Sequence, residues 1–256
     1  MRLRSLFIVF ILSVFYLNCF SQQPNSSKND SSIIVKNDTM SKFSFGGSNF
    51  TVSKYIPRSG TQVGKGSANQ TLAYVSYSNF TAYVWFNYGF PDSRITEIDY
   101  GLEYKYRLSQ KFLKGNWDIK AGAHKYIFPV PELNNFILEG TLSYRGIVES
   151  DVLYTYCFES TKIESGSRIY IELRKPFEIK IKKLKSELIP QLSTAYHWGF
   201  YGWQKFGQIT PGLRYKMHFS KFSINTFLNY QFSADDISEG YITKKRFLYG
   251  GIGIEF

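Results

Sequence analysis

Cysteine is nearly absent from this 256-residue chain, with Cys19 and Cys157 the only two. Cys19 falls in an N-terminal leader, and removing the leader leaves Cys157 alone, which excludes an intrachain disulfide. Long apolar runs are also missing. Past Leu6–Leu17 nothing approaches the ~20 residues that a membrane-crossing helix needs, and mean hydropathy is −0.23. There are three histidines, and no His/Cys/carboxylate grouping has zinc-like spacing. The sequence therefore calls for no metal and no cofactor, and His124 and His197 read as interior polar residues.

Aromatic residues, by contrast, are abundant: 20 Tyr and 23 Phe bring the aromatic share to 18%. Many of them alternate with polar residues. From Ile98 to Leu108 the even positions are Ile98, Tyr100, Leu102, Tyr104, Tyr106 and Leu108, and the odd ones are Asp99, Gly101, Glu103, Lys105 and Arg107. A strand sends alternate side chains to opposite faces, so one face here is apolar and the other charged. A helix would scatter the charge all round. The length, about eleven residues, suits a tilted strand crossing a bilayer. The low mean hydropathy fits as well, because lipid-facing and water-facing residues cancel in the average.

Residues 1–21 read as a secretory leader, with Arg2 and Arg4 before a short apolar run and small Ser21 at its end. Cys19 follows Tyr16-Leu17-Asn18, a poor lipidation box. Residues 22–42 form a polar periplasmic linker. Residues 43–256 keep one texture, predicted as a transmembrane antiparallel β-barrel of about twelve strands: roughly 43–53, 70–78, 80–90, 95–108, 116–128, 135–145, 151–159, 167–181, 187–200, 207–218, 221–232 and 245–256. Gly46-Gly47 is expected to form a bulge. Tight turns at Ser78-Asn79 and Ser220-Lys221 alternate with long connections at 53–69 and 233–244, as in outer-membrane barrels. The last strand places Leu248, Ile252, Ile254 and Phe256 on one face. A closing strand that ends in Phe is similar to the signal read by the barrel-assembly machinery, so Phe256 is taken as an assembly signal.

Between Val75 and Tyr170 the chain resembles the TorF-type porins of Gram-negative bacteria. The matching residues are Trp85-Phe-Asn87, Thr96-Glu-Ile-Asp-Tyr100 with Gly101 and Tyr104, and Gly122 with Tyr126-Ile-Phe-Pro129. Leu138-Glu-Gly-Thr-Leu-Ser-Tyr144 and Tyr154-Thr-Tyr156 follow. The resemblance implies a porin-like barrel in the cell outer membrane, with poorly defined substrates. The lysine-rich stretch after Phe177 departs from the family pattern. The Phe-Ser-Gln leader end and the Asn/Ser/Lys-rich composition resemble Bacteroidetes proteins.

A Lys or Arg facing lipid at midplane costs roughly 2–4 kcal/mol. The charged faces are therefore expected to line the lumen: Glu97, Asp99, Glu103, Lys105, Arg107, Lys120, Arg145, Arg168, Glu172, Arg174, Arg214 and Lys216 as pore-lining residues, with Asp118, His124, Glu139 and Glu255 beside them. Twelve strands about 4.8 Å apart, tilted about 40°, give a backbone diameter near 24 Å, which favours a narrow pore over a plug. The formal charge of +11 then reads as a basic lumen and solvated rim, with mild anion preference, and not as a nucleic-acid surface. The expected partners are outer-membrane lipid, the assembly machinery and small hydrophilic solutes.

Three other readings are weaker. A non-conducting structural or adhesive barrel would fill the same lumen with salt bridges. His218-Phe-Ser220 is similar to the His-x-Ser pair of outer-membrane phospholipases, but it lies near the periplasmic end, away from outer-leaflet ester, and no catalytic residue is assigned. Gly60–Ser67 has the wrong spacing for a phosphate loop. Trp198, Phe200, Tyr201, Trp203 and Phe206 read as an interfacial aromatic girdle.

Overall fold

The computed structural model describes residues 43–58, 66–108, 115–181, 184–200, 203–233 and 246–256. The expected leader (1–21) and linker (22–42), Cys19 among them, and most of the Gly60–Ser67 stretch lie outside the described residues. Thirteen strand segments follow in order: β1 (Phe43–Val52), β2 (Ala68–Tyr77), β3 (Phe80–Gly89), β4 (Arg94–Arg107), β5 (Asn116–Ile127), β6 (Asn135–Arg145), β7 (Glu149–Cys157), β8 (Gly166–Arg174), β9 (Phe177–Ile181), β10 (Leu184–Phe200), β11 (Trp203–His218), β12 (Ser223–Ser233) and β13 (Arg246–Glu255). Segments β8 and β9 are one stave. Both pair with β10, and the register carries on unchanged across the junction, Arg174 opposite Gln191 and Phe177 opposite Leu188. The break falls at Lys175-Pro176, where proline has no N–H to give the ladder.

Each stave is antiparallel to the next, and β13 returns to β1, with Ser48 opposite Glu255 and Val52 opposite Gly251. Phe256 and Gly47 exchange backbone hydrogen bonds of 3.0 and 2.9 Å, which fastens the seam. The result is a closed twelve-stave antiparallel barrel with no free edge. Among the described residues, the tight connections Ser78-Asn79, 146–148 and 219–222 lie at one end, and the longer connections 90–93, 128–134 and 158–165 lie at the other.

The sequence alternation becomes the wall. On β4, Tyr100 and Leu102 are about half exposed on the outside, whereas Glu97 and Asp99 are buried within. The outer surface continues through Val75, Leu138, Val152, Leu192, Leu213, Leu228 and Ile252, all exposed. Asn49, Thr51, Asn69 and Thr71 interrupt this apolar surface. They hydrogen-bond one another, Asn49 Nδ2 donating to Asn69 Oδ1 at 2.9 Å and to Thr71 Oγ1 at 2.7 Å, so these polar groups satisfy one another on the outer face.

Two expectations are corrected. Gly46-Gly47 is not a bulge, because β1 pairs with β2 in one register from Phe43–Tyr77 to Val52–Ala68. Gly46 is needed for space: a Cβ there would lie 2.5 Å from the Tyr74 hydroxyl, which crosses the inside of β1. Phe200 is not part of the girdle. The register shifts between Trp198 and Phe200, around Gly199 at φ 69°, and this turns Phe200 inward, to 1% exposure. Trp198 and Phe206 do face outward, partly exposed. Tyr201 and the side chain of Trp203 are outside the described residues.

Candidate functional site

The barrel interior has two tiers. Toward the long-connection end it is filled, with apolar clusters set among buried polar side chains such as Asn87, Glu97, Asn135 and Gln208. Ile137, Cys157, Ile163 and Phe200 form one buried cluster with Tyr126 and Leu133 against it. Val52, Tyr55 and Ala68 form another, backed by Phe50, Trp85 and Phe227. Tyr55 and Arg58 come from the connection after β1, which turns into the barrel. The Tyr55 ring lies 5.5 Å from that of Trp85. Arg58 Nη1 is 3.6 Å from Glu139 Oε1, its guanidinium is 5.7 Å from the centre of the Tyr170 ring, and its carbonyl accepts from Gln208 Nε2 at 3.1 Å. About half of the Arg58 side-chain surface is open, and that surface faces the cavity beneath.

Beneath Arg58 lies a cavity of about 220 Å³, lined by charged residues from β4 to β8 that include Lys105, Lys120, Arg145, Asp151 and Arg174. Most of these sit near the tight-connection ends of their strands.

All twelve residues predicted from the alternation point into the barrel, as the pairings across β3 to β13 require. Most of them are paired, some with one another and more with neighbouring residues of the same lumen. Asp118 accepts from Lys105 (3.1 Å) and Arg107 (3.2 Å). Lys120 reaches Glu103 at 2.8 Å and Lys216 reaches Glu255 at 2.6 Å. Arg174 joins Asp151, Glu149 and Glu172, and Asp151 also takes Arg145 at 2.8 Å. Arg168 donates to Thr155 Oγ1 at 3.2 Å and lies over the Phe200 ring. Glu97 and Asp99 are held near Tyr55 in the filled tier.

This pairing leaves less unbalanced positive charge inside than the formal +11 suggests. His218, the base of the considered hydrolytic pair, faces Glu187 Oε1 at 3.2 Å, and Ser220 is exposed at the tight turn. Asp151 was missed as a lumen residue, although it shares the inward face with Leu153, Thr155 and Cys157. Tyr55 and Arg58 carried no periodic signal at all.

The fold and lumen define a class: a closed antiparallel barrel with an apolar outside and a charged inside. Comparison with known proteins adds little to this. No protein-family model and no curated protein matches the chain. A solved structure described as a bacterial polysaccharide outer membrane secretin is similar at 12% identity and a TM-score of 0.40, covering 83% of this chain and 97% of that one.

Proposed function

We propose that the protein is an outer-membrane, porin-like barrel that passes small hydrophilic solutes and is latched in this conformation by the Tyr55–Arg58 segment. The observation that carries the reading is the charged cavity that Arg58, from the connection after β1, lines together with residues of the wall. The apolar outer surface supports a setting in lipid. The TorF-type resemblance over 75–170 agrees with both. In this reading the partners are outer-membrane lipid, the barrel-assembly machinery and the solutes, and no catalytic role is assigned.

A non-conducting structural barrel is the second reading. The filled tier and the extensive ion pairing favour it. Planar-bilayer recording of refolded protein separates the two. The porin reading expects discrete, small conductance steps with long closures and at most weak anion preference. No discrete conductance from demonstrably folded barrel would overturn it in favour of the structural one.

A further inference from the structure

The strands bring together three side chains that are far apart in sequence: Glu103 on β4, His124 on β5 and Glu139 on β6. One ligand-capable atom from each lies within 4.8 Å of the others. The two strand pairings explain this. Gly122 is opposite Glu103 on one side and opposite Glu139 on the other, so the two carboxylates flank a position that has no side chain. His124, two residues along on the same inward face, leans into the gap. A Cβ on Gly122 would lie 2.6 Å from His124 Nε2 and 3.3 Å from Glu103 Cγ.

The other ring nitrogen is already engaged. Nδ1 is 2.8 Å from the Tyr83 hydroxyl, an approach that Gly101 allows, since a Cβ there would lie 2.6 Å from Nδ1. With its hydrogen on Nδ1, donating to the Tyr83 oxygen, the ring presents a bare lone pair at Nε2. His124 is only 2% exposed, and Nε2 has no hydrogen-bond partner among the described residues. An orphaned imidazole nitrogen between two carboxylates, fixed from behind by a hydroxyl, is the donor set and outer support of a divalent metal site.

We propose that Glu103, His124 and Glu139 bind one divalent first-row transition ion, Zn²⁺ by preference, inside the barrel. Imidazole with two carboxylates suits zinc, and water completes the coordination. Ligands about 2.1 Å from a tetrahedral ion sit about 3.4 Å apart, so the donors close in by up to about 1.4 Å. Both glutamates can do this by rotating. Two cations compete for the same carboxylates, Lys120 on Glu103 and Arg58 on Glu139. Arg58 is the looser of the two, at 3.6 Å and open to the cavity, and it is the one the ion displaces. The site does not depend on whether the lumen conducts.

The test is titration of the refolded full chain with Co²⁺, followed by its visible d–d absorption, and then competition by Zn²⁺. We expect one Co²⁺ per chain, at least tenfold weaker binding in His124→Gln, and unchanged binding in His218→Gln. Tyr83→Phe should weaken binding about 10- to 100-fold. Arg58→Ala should tighten it, which a purely structural role for His124 would not produce. No absorption band from folded wild type, or a band in His124→Gln that saturates at the wild-type Co²⁺ concentration, overturns the proposal. Should that variant not fold, the X-ray absorption spectrum of Zn²⁺-loaded wild type decides. One imidazole among oxygen ligands supports the site; two or more imidazoles, or sulfur, sinks it.

Discussion

Replacing Arg58 with alanine probes the latch most directly. Two interactions are lost. The ion pair with Glu139, at 3.6 Å and half open to the cavity, is worth about 0.5–1 kcal/mol once solvent screening is allowed for. The contact with the Tyr170 ring, at 5.7 Å, adds about 0.5 kcal/mol. The Gln208 bond to the backbone carbonyl survives, because alanine keeps that oxygen. The closed state should therefore weaken by about 1–1.5 kcal/mol, or roughly five- to twelvefold in the open-to-closed ratio. Arg58→Lys keeps a charge and should recover part of the loss. The assay is single-channel open probability in planar bilayers, with heat-modifiable gel migration confirming that each barrel is folded. Wild-type open probability in folded Arg58→Ala would refute the latch, however the lumen behaves otherwise.

Further expectations concern the seam, the wall and the lumen charge. Phe256→Asp should reduce membrane insertion far more than Ile147→Asp at an exposed tight turn, because Phe256 pairs with Gly47 to close the barrel; quantitative membrane fractionation decides, and equal insertion would remove its role as an assembly signal. Gly46→Val should lower the urea midpoint by the equivalent of about 1–3 kcal/mol, since Tyr74 occupies the added volume, and an unchanged midpoint would contradict that packing. Arg214→Glu should move the reversal potential toward cations, the more so at low salt, while outward Leu213→Val leaves it in place; an identical shift from both would place Arg214 away from the ion path.

The wall was readable because a strand's period is two and the cost of a charge in lipid is high. Ile98–Leu108 alone fixes which residues of β4 face inward, and its pairings carry that assignment to β3 and β5. Alternation stops being a guide where the register shifts. Phe200 looked like one more girdle aromatic, but the irregularity at Gly199 reverses its side. Gly46-Gly47 misled in the opposite sense: glycine there clears room for Tyr74 without breaking the ladder. The inward turn of Tyr55 and Arg58 follows from tertiary fit, which leaves no local pattern. Glu103, His124 and Glu139 are dispersed along the chain, and only the strand register makes them neighbours.

In the proposed porin reading, Arg58 also sets how the latch responds to an electric field. It brings one unit of charge into the barrel from a connecting segment, whereas cations such as Lys105, Lys120 and Arg174 belong to the strands of the wall. A unit charge crossing a full membrane potential of 100 mV exchanges about 2.3 kcal/mol. If releasing Arg58 from Glu139 moves that charge through about a third of the span, the coupling is only about 0.8 kcal/mol per 100 mV, or roughly fourfold in the closed-to-open ratio. This is smaller than the 1–1.5 kcal/mol of contacts that hold the residue. Voltage acting on this one charge can bias the latch but cannot command it, and whatever competes for the Glu139 carboxylate has the stronger hand.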